Sequence, residues 1–316
     1  MPFEPVLSVV IGTFNRREAL QRCVSSVLEQ TRTPTVVYVT DAGSTDGTQE
    51  FLSSVASDQI VPILVGRKLG QAKAYNDVFK SIRSPYVAWL SDDNEVVNGG
   101  LDLGVDILER HPEVGMVALK VKDVRGPFVA APYIGGISEI GVLNVNQGLL
   151  RTSVLREAGY FSETFGFYGI DSDLTTMVLY SGHDIVYTKP VAVHHYRDWA
   201  TEESSAEYSA LQKHHEKSLD LYKRKYRGFG EDHRAWESKR RIWLWFRKRL
   251  GRLYKRDSPR PRLGGLFRDW DNAFLSRHIN PLDPWLSLGR DFHLRQHVPS
   301  RFRPLTLPAD PEANTE

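Results

Sequence analysis

Two apolar runs in this chain end abruptly in acids. Tyr86-Val-Ala-Trp-Leu90 runs into Ser91-Asp-Asp-Asn94, and Val36-Val-Tyr-Val-Thr40 runs into Asp41-Ala-Gly-Ser-Thr-Asp46. Short β-rich runs without polar alternation read as strands buried on both faces, the habit of parallel sheets covered by helices. In open α/β sheets, ligands bind beyond the carboxyl ends of such strands. The two acidic ends are therefore expected to face one crevice suited to a metal-bridged phosphate compound.

The rest of the first half repeats this alternation. Strands are expected at residues 7–11, 36–40, 60–65 and 86–90, and helices at 16–30, 45–54, 71–82 and 101–109. The first helix places Ala19, Leu20, Cys23, Val24, Val27 and Leu28 on one face. Strands and helices at this spacing imply a mostly parallel sheet with helices on both faces and right-handed crossovers. From about Gly115 the periodicity weakens into short β-like pieces near 116–121 and 142–145. A helix then starts near Gly169-Ile-Asp-Ser-Asp-Leu174 and ends at Gly182, followed by a strand at 184–188 and the run Pro190-Val-Ala-Val-His-His-Tyr196.

Composition removes several alternatives. With 316 residues, 41% of them hydrophobic, the chain can bury a full core. One cysteine, Cys23, excludes an internal disulfide and a cysteine-rich metal site, and its place on an apolar helical stripe makes it a packed thiol. Met1-Pro-Phe-Glu-Pro5 leads into a strand without a basic region or an apolar core of leader type, and no run of about eighteen apolar residues follows. A cytoplasmic protein that does not span a membrane is expected. Net charge is only +2, yet residues 239–256 carry nine Lys or Arg and no acid.

Taken in order, Val9-Val-Ile-Gly-Thr-Phe-Asn-Arg16, Thr40-Asp-Ala-Gly-Ser-Thr-Asp-Gly-Thr48, Gly70 with Asn76, Leu90-Ser-Asp-Asp93, Gly169-Ile-Asp-Ser-Asp-Leu174 and His194-His195 form a set. Each alone is a weak signal. Six in this order and approximate spacing resemble the signature of family-2 glycosyltransferases, inverting enzymes of the GT-A fold, across residues 7–198. The resemblance implies a GT-A catalytic domain at 1–200, with a donor-binding half at 1–95 and an acceptor and base half at 96–200. A helical extension at 201–256 and an irregular tail at 257–316 would follow.

The resemblance also implies roles. The nucleoside diphosphate leaving group needs a divalent cation or fixed positive charge, and Mg2+ or Mn2+ takes a few carboxylates plus the phosphates themselves. Asp93 stands at the second aspartate of the family's Asp-any-Asp motif and is the expected metal ligand, with Asp92 lining the sugar-nucleotide site. Ser91 replaces the first aspartate. Thr13, Phe14, Asn15 and Arg16 after the first strand, Asp41 after the second, and Gly70 and Asn76 are expected around the nucleotide. Asp41 is placed to accept from the imide of uracil, so a UDP-sugar is favoured, with guanine and thymine left open. The ordinary reading of that loop is that Asp46 or Thr45 caps the next helix. Lys68, with Arg67, lies where a cation meets phosphate, although the family more often carries asparagine at Lys68.

Inversion needs a single general base. Asp171 matches the aspartate of the family's acidic pair, with Ile170 in place of the glutamate, and Asp173 is assigned to helix-start stabilisation or an acceptor contact. Of the histidines, which alternate faces, His194 is the expected further metal ligand. His214 and His215 read as surface.

Residues 202–226 read as a polar helix. Residues 239–256 read as a basic amphipathic helix with Trp243 and Trp245, suited either to an anionic membrane interface on the inner face of the cell membrane or to packing on the catalytic domain. Nucleic acid is not an expected partner. The function expected is transfer of a sugar from a nucleotide-sugar donor to a glycan or lipid-linked saccharide. The alternatives are a nucleotide-sugar-binding subunit without turnover, motivated by Ser91 and Ile170, and a nucleotidyltransferase. The latter would carry a glycine-repeating phosphate loop that Gly12-Thr-Phe-Asn-Arg16 lacks.

Overall fold

The computed structural model describes residues 3–125, 133–134, 145–165, 169–188, 190–197 and 205–226. The expected basic helix at 239–256, the tail at 257–316 and most of the strand at 142–145 lie outside these residues.

The chain opens with β1 (Leu7–Thr13), α1 (Arg17–Gln30), β2 (Thr35–Asp41), α2 (Thr48–Val55), β3 (Ile60–Leu64), α3 (Gln71–Phe79) and β4 (Tyr86–Ser91). It continues through β5 (Asn94–Val96), α4 (Gly100–Arg110), β6 (Val114–Ala118), β7 (Val121–Arg125), β8 (Tyr133–Ile134) and β9 (Gly148–Arg151). Then come α5 (Thr152–Glu157), a 3-10 turn (Glu163–Phe165), α6 (Ile170–Tyr180), β10 (Asp184–Tyr187), β11 (Val193–Tyr196) and α7 (Ala206–Lys225).

The main sheet has seven strands in the order β10-β6-β9-β4-β1-β2-β3. β1 pairs parallel with β2 and β4, and the register sets Gly12 opposite Ser91 and Thr13 opposite Asp41. The two acidic strand ends anticipated from sequence therefore flank the end of β1. The sheet is mostly parallel, with the exception of β9, which runs antiparallel to both β4 and β6.

Strand alternation splits the core into two layers. Val10, Val87 and Trp89 pack under α3, α5 and α6, while Val9, Ile11, Ala88 and Leu90 pack under α1 and α4. In α1 the buried Leu20, Cys23, Val24 and Val27 follow the spacing of one helical face. Cys23 is fully buried, as expected of a packed thiol, and burial raises its pKa well above the ordinary value.

A second, four-stranded sheet in the order β5-β11-β7-β8 was not anticipated. Here β11 runs antiparallel to β5, which places His195 opposite Asn94, and parallel to β7, which places it opposite Asp123. The weakly periodic region after Gly115 thus divides its strands between two sheets.

Candidate active site at the strand ends

A cavity of about 540 Å3 opens at the carboxyl ends of β1, β2 and β4. Its centre is acidic. Asp92 accepts from Thr13 Oγ1 at 2.8 Å and from Arg16 Nη1 at 3.3 Å, and the same Arg16 nitrogen donates to Asp93 Oδ2 at 3.1 Å. Asp93 Oδ1 lies 3.1 Å from His195 Nε2, His195 Nδ1 lies 3.0 Å from Asp123, and Arg197 Nε donates to that same Asp123 oxygen at 3.2 Å. The order is cation, carboxylate, imidazole, carboxylate, cation, which leaves the buried members charge-compensated.

The two adjacent aspartates are driven apart. Burial pushes Asp92 up to about 6, against the opposing pull of Arg16. Burial also opposes ionisation of Asp93, but the hydrogen bond and charge of His195, with Arg16, hold it below the usual carboxylate range. His195 is raised in turn: burial works against its charge, but Asp123 and Asp93 outweigh it.

The crevice histidine is His195, not His194 as expected. His194 lies 3.3 Å from Glu95 on the other face of β11 and does not line the cavity. Parity along a strand was readable; which parity faced the acids was decided by pairing with β5 and β7.

Thr13, Phe14, Arg16, Lys68, Gly70 and Asp92 all line the cavity, and Lys68 Nζ sits 4.6 Å from the centre of the Phe14 ring. Three residues expected there do other work. Asp41 is fully buried, and its carboxylate accepts from the amides of Gly43 and Ser44 and from Gln49 Nε2, which shapes its own loop. Its chain neighbours Thr40 and Ala42 line the cavity, while the Asp41 carboxylate is taken up by these loop contacts. Asn15, at φ 51°, accepts from Thr45 N and donates its own N–H to Ser44 Oγ, joining the first two loops. Asn76 is buried between α3 and the segment after α5, exchanging hydrogen bonds with the backbone of Phe161. Both side chains are held by protein partners, and neither lines the cavity. At α2 the cap position is Gly47, at φ 87°, rather than Thr45 or Asp46; Asp46, one residue earlier, accepts from Thr48 N and Thr48 Oγ1.

Asp171 lies in the first turn of α6, at the cavity wall. Burial pushes it up to about 6, partly offset by the amide of Ser172, which donates to Oδ1 at 2.8 Å. Asp173 points the other way. It is 1% exposed, pairs with Lys225 Nζ at 2.6 Å and accepts from Tyr226 Oη. An acceptor contact does not fit that position. Burial raises its pKa despite the nearby Lys225 charge.

Sequence reading missed Trp89, Asn146, Gln147 and Arg197, which also line the cavity. Trp89 was visible only as a strand residue, and Asn146-Gln147 fall in the stretch where periodicity fails.

Among the described residues, no three His, Cys, Asp or Glu side chains converge as a metal cage. A magnesium or manganese ion bridging a diphosphate needs fewer protein ligands, one or two carboxylates with the phosphates completing the shell. Asp93, beside the His195 imidazole, fits that requirement in donor type.

This architecture, a mostly parallel sheet with an acidic cavity at its strand ends, is the GT-A glycosyltransferase class. Residues 8–169 match the sequence pattern of glycosyl transferase family 2, and the chain belongs to that family. It is similar to an N-acetylglucosaminyl-diphospho-decaprenol L-rhamnosyltransferase of Mycobacterium tuberculosis, 25% identical over 261 residues, covering 69% of this chain and 83% of that one. It is also similar to an uncharacterized glycosyltransferase of Nostoc sp., 30% identical over 114 residues, with the match spanning 35% of each chain. Among solved structures, S. aureus TarS superposes with a TM-score of 0.52 at 16% identity, over 89% of this chain and 50% of TarS. Its 1–349 fragment in complex with UDP-GlcNAc gives 0.50 at 18% identity, over 67% of this chain and 66% of the fragment.

Proposed function

We propose that the chain transfers a glycosyl group from a nucleoside diphosphate sugar, a UDP-sugar first, to a glycan or lipid-linked saccharide, inverting the anomeric carbon. The observation that carries this reading is the placement of Asp171, held near 6, in the same cavity as the Asp92–Asp93 pair. Asp171 accepts the proton of the acceptor hydroxyl as its oxygen attacks the anomeric carbon. The bond to the diphosphate oxygen breaks on the opposite face, so one displacement inverts the centre. Arg16, Arg67 and Lys68 border the cavity where charge develops on the leaving diphosphate. Asp93 and His195 are the residues that would hold Mg2+ or Mn2+, which would supply further charge neutralisation there.

Two relatives support the choice of substrates. The mycobacterial relative is named for a lipid-linked diphosphate acceptor, and the TarS fragment is described with UDP-GlcNAc. Because Asp41 is engaged in its own loop, the preference for uridine rests on that neighbour rather than on Asp41.

Release of each nucleoside diphosphate from a panel of UDP-, GDP- and dTDP-sugars, with and without Mn2+, tests the donor, and proton NMR of the product tests the stereochemistry. A retained anomeric configuration would rule out the single displacement. Binding without release from any donor would favour the second reading, a nucleotide-sugar-binding subunit, which Ser91 and Ile170 in place of acids motivate.

A further inference from the structure

We propose that Gln147 is a specificity residue of the donor site, its side-chain carbonyl accepting a hydrogen bond from a hydroxyl of the transferred sugar. Gln147 is 2% exposed and lies in the cavity wall just before β9. Its Nε2 donates to Ser91 Oγ at 3.2 Å and to Asn146 Oδ1 at 3.2 Å, so both amide hydrogens are used. Its Oε1 is buried and has no hydrogen-bond partner among the described residues. A buried carbonyl left unsatisfied is costly, and one that faces a cavity is a place where a ligand can complete it.

Chemistry narrows what completes it. A carbonyl oxygen only accepts, and a diphosphate offers no donor at neutral pH, so the partner is either a hydroxyl or N–H of the sugar or an N–H of the base. Position then separates these two. In the sheet order, β9 lies on the far side of β4 from β1 and β2. A second orphan, Thr40 Oγ1, is buried at the β2 end of the same cavity. The acidic pair and Arg16 stand between the two orphans. A nucleoside at the β1–β2 end with its diphosphate over Arg16 directs the glycosyl unit toward β9. There the Trp89 indole, its Nε1 donating to Asn146 O at 3.1 Å, also borders the cavity. Ser91 becomes intelligible as well: where the family carries an aspartate, this chain has a hydroxyl that accepts from Gln147 and fixes which way its carbonyl points.

This inference rests on reading the cavity as a nucleotide-sugar site, and calorimetric titration separates the two. Wild type and Gln147→Leu are titrated with UDP, GDP and dTDP, and with their hexose conjugates. The leucine variant is expected to keep the melting temperature and bind the bare nucleotide within about twofold, but to bind the sugar conjugate about tenfold more weakly, one lost hydrogen bond of about 1.4 kcal/mol. A monodeoxy series of the bound donor should contain one member that loses about tenfold against wild type and nothing against the variant. Equal weakening of nucleotide and conjugate, or no weakening of either, overturns the role of Gln147 and leaves the donor reading standing. No binding of any nucleotide or conjugate to wild type overturns both. If Gln147→Leu unfolds, Gln147→Met provides the same comparison.

Discussion

Asp92 and Asp93 are chain neighbours with opposite electrostatic fates, and the difference lies in what each touches. Asp93 has His195 and Arg16, whereas Asp92 has Arg16 and a neutral threonine. Replacing Asp93 with Ala removes the better-ionised oxygen donor and should slow transfer by about 100-fold or more, on the scale of a lost transition-state contact. Steady-state transfer assays with and without EDTA check this; near-normal turnover in the variant, with chelation ineffective on the parent, would refute the role given to Asp93. Asp171 carries a pH signature. As a base it works only when ionised, and its pKa near 6 means that kcat/KM should fall about tenfold per unit as pH drops below 6. Asp171→Asn should abolish most transfer while leaving UDP-sugar affinity within a few-fold. The stability sign is the reverse. A carboxyl raised in the fold stabilises while protonated, and that contribution is lost as pH rises from about 4 through 6. Asp171→Asn should therefore unfold at higher urea than wild type at pH 7.5. At this scale the position of Asp92 and Asp93 at the crevice was legible because an apolar run stops at them and five further motifs follow the same order. The roles of Asp41, Asn15 and Asn76 were not, since a side chain that serves a ligand and one that stitches a loop have the same sequence appearance.

The alternation of strands and helices through β4 was readable because each element buries a face and so carries a period. The antiparallel direction of β9 was not, because a strand buried on both sides looks the same in either direction. The docking of α7 was hidden for another reason: its polar sequence reads as a solvated helix. Two of its side chains and that of the residue after it, Tyr226, meet α6 near its start. Tyr222 Oη donates to Gly169 O, Lys225 pairs with Asp173, and Tyr226 also bonds to Asp173. Gly169 sits at φ +84°, and a Cβ there would lie 2.7 Å from Tyr222, so the close approach requires glycine. Losing one partner of a buried pair costs about 3–5 kcal/mol. Lys225→Met is thus expected to destabilise by that order in urea titrations, and Asp173→Asn combined with Lys225→Met to recover much of it. Because α6 carries Asp171, Lys225→Met should also lower kcat more than it changes UDP-sugar affinity. A change under 1 kcal/mol with normal kcat would mean that α7 is not a brace for α6.

The whole molecule joins a family-defined core at 8–169 to elements the family match does not reach, namely α6 beyond its cap, β10, β11 and α7. Asp171 and His195, which line the cavity, and the α7 contacts with α6 all lie beyond the matched range. No helix of the described residues is long and apolar enough to cross a membrane. For a lipid-linked acceptor, residues 239–256 are a segment whose composition suits contact with a bilayer. Nine cations with Trp243 and Trp245 combine charge attraction to anionic lipid with apolar burial at the interface. Each cation near an anionic surface contributes about 1 kcal/mol, a term that salt screens over about 10 Å at 0.1 M. Full-length protein is therefore expected to sediment with vesicles containing phosphatidylglycerol at low salt and to be released progressively as NaCl is raised. Vesicles of phosphatidylcholine alone should bind weakly, because only the tryptophan contribution remains. Replacing Trp243 and Trp245 by Ala should lower binding to both vesicle types, whereas replacing the cations of 247–249 by Gln should affect only the anionic ones. A full-length chain that ignores anionic vesicles at low salt would show that this segment packs on protein instead, and the lipid-linked acceptor would then have to be delivered to the cavity by another component.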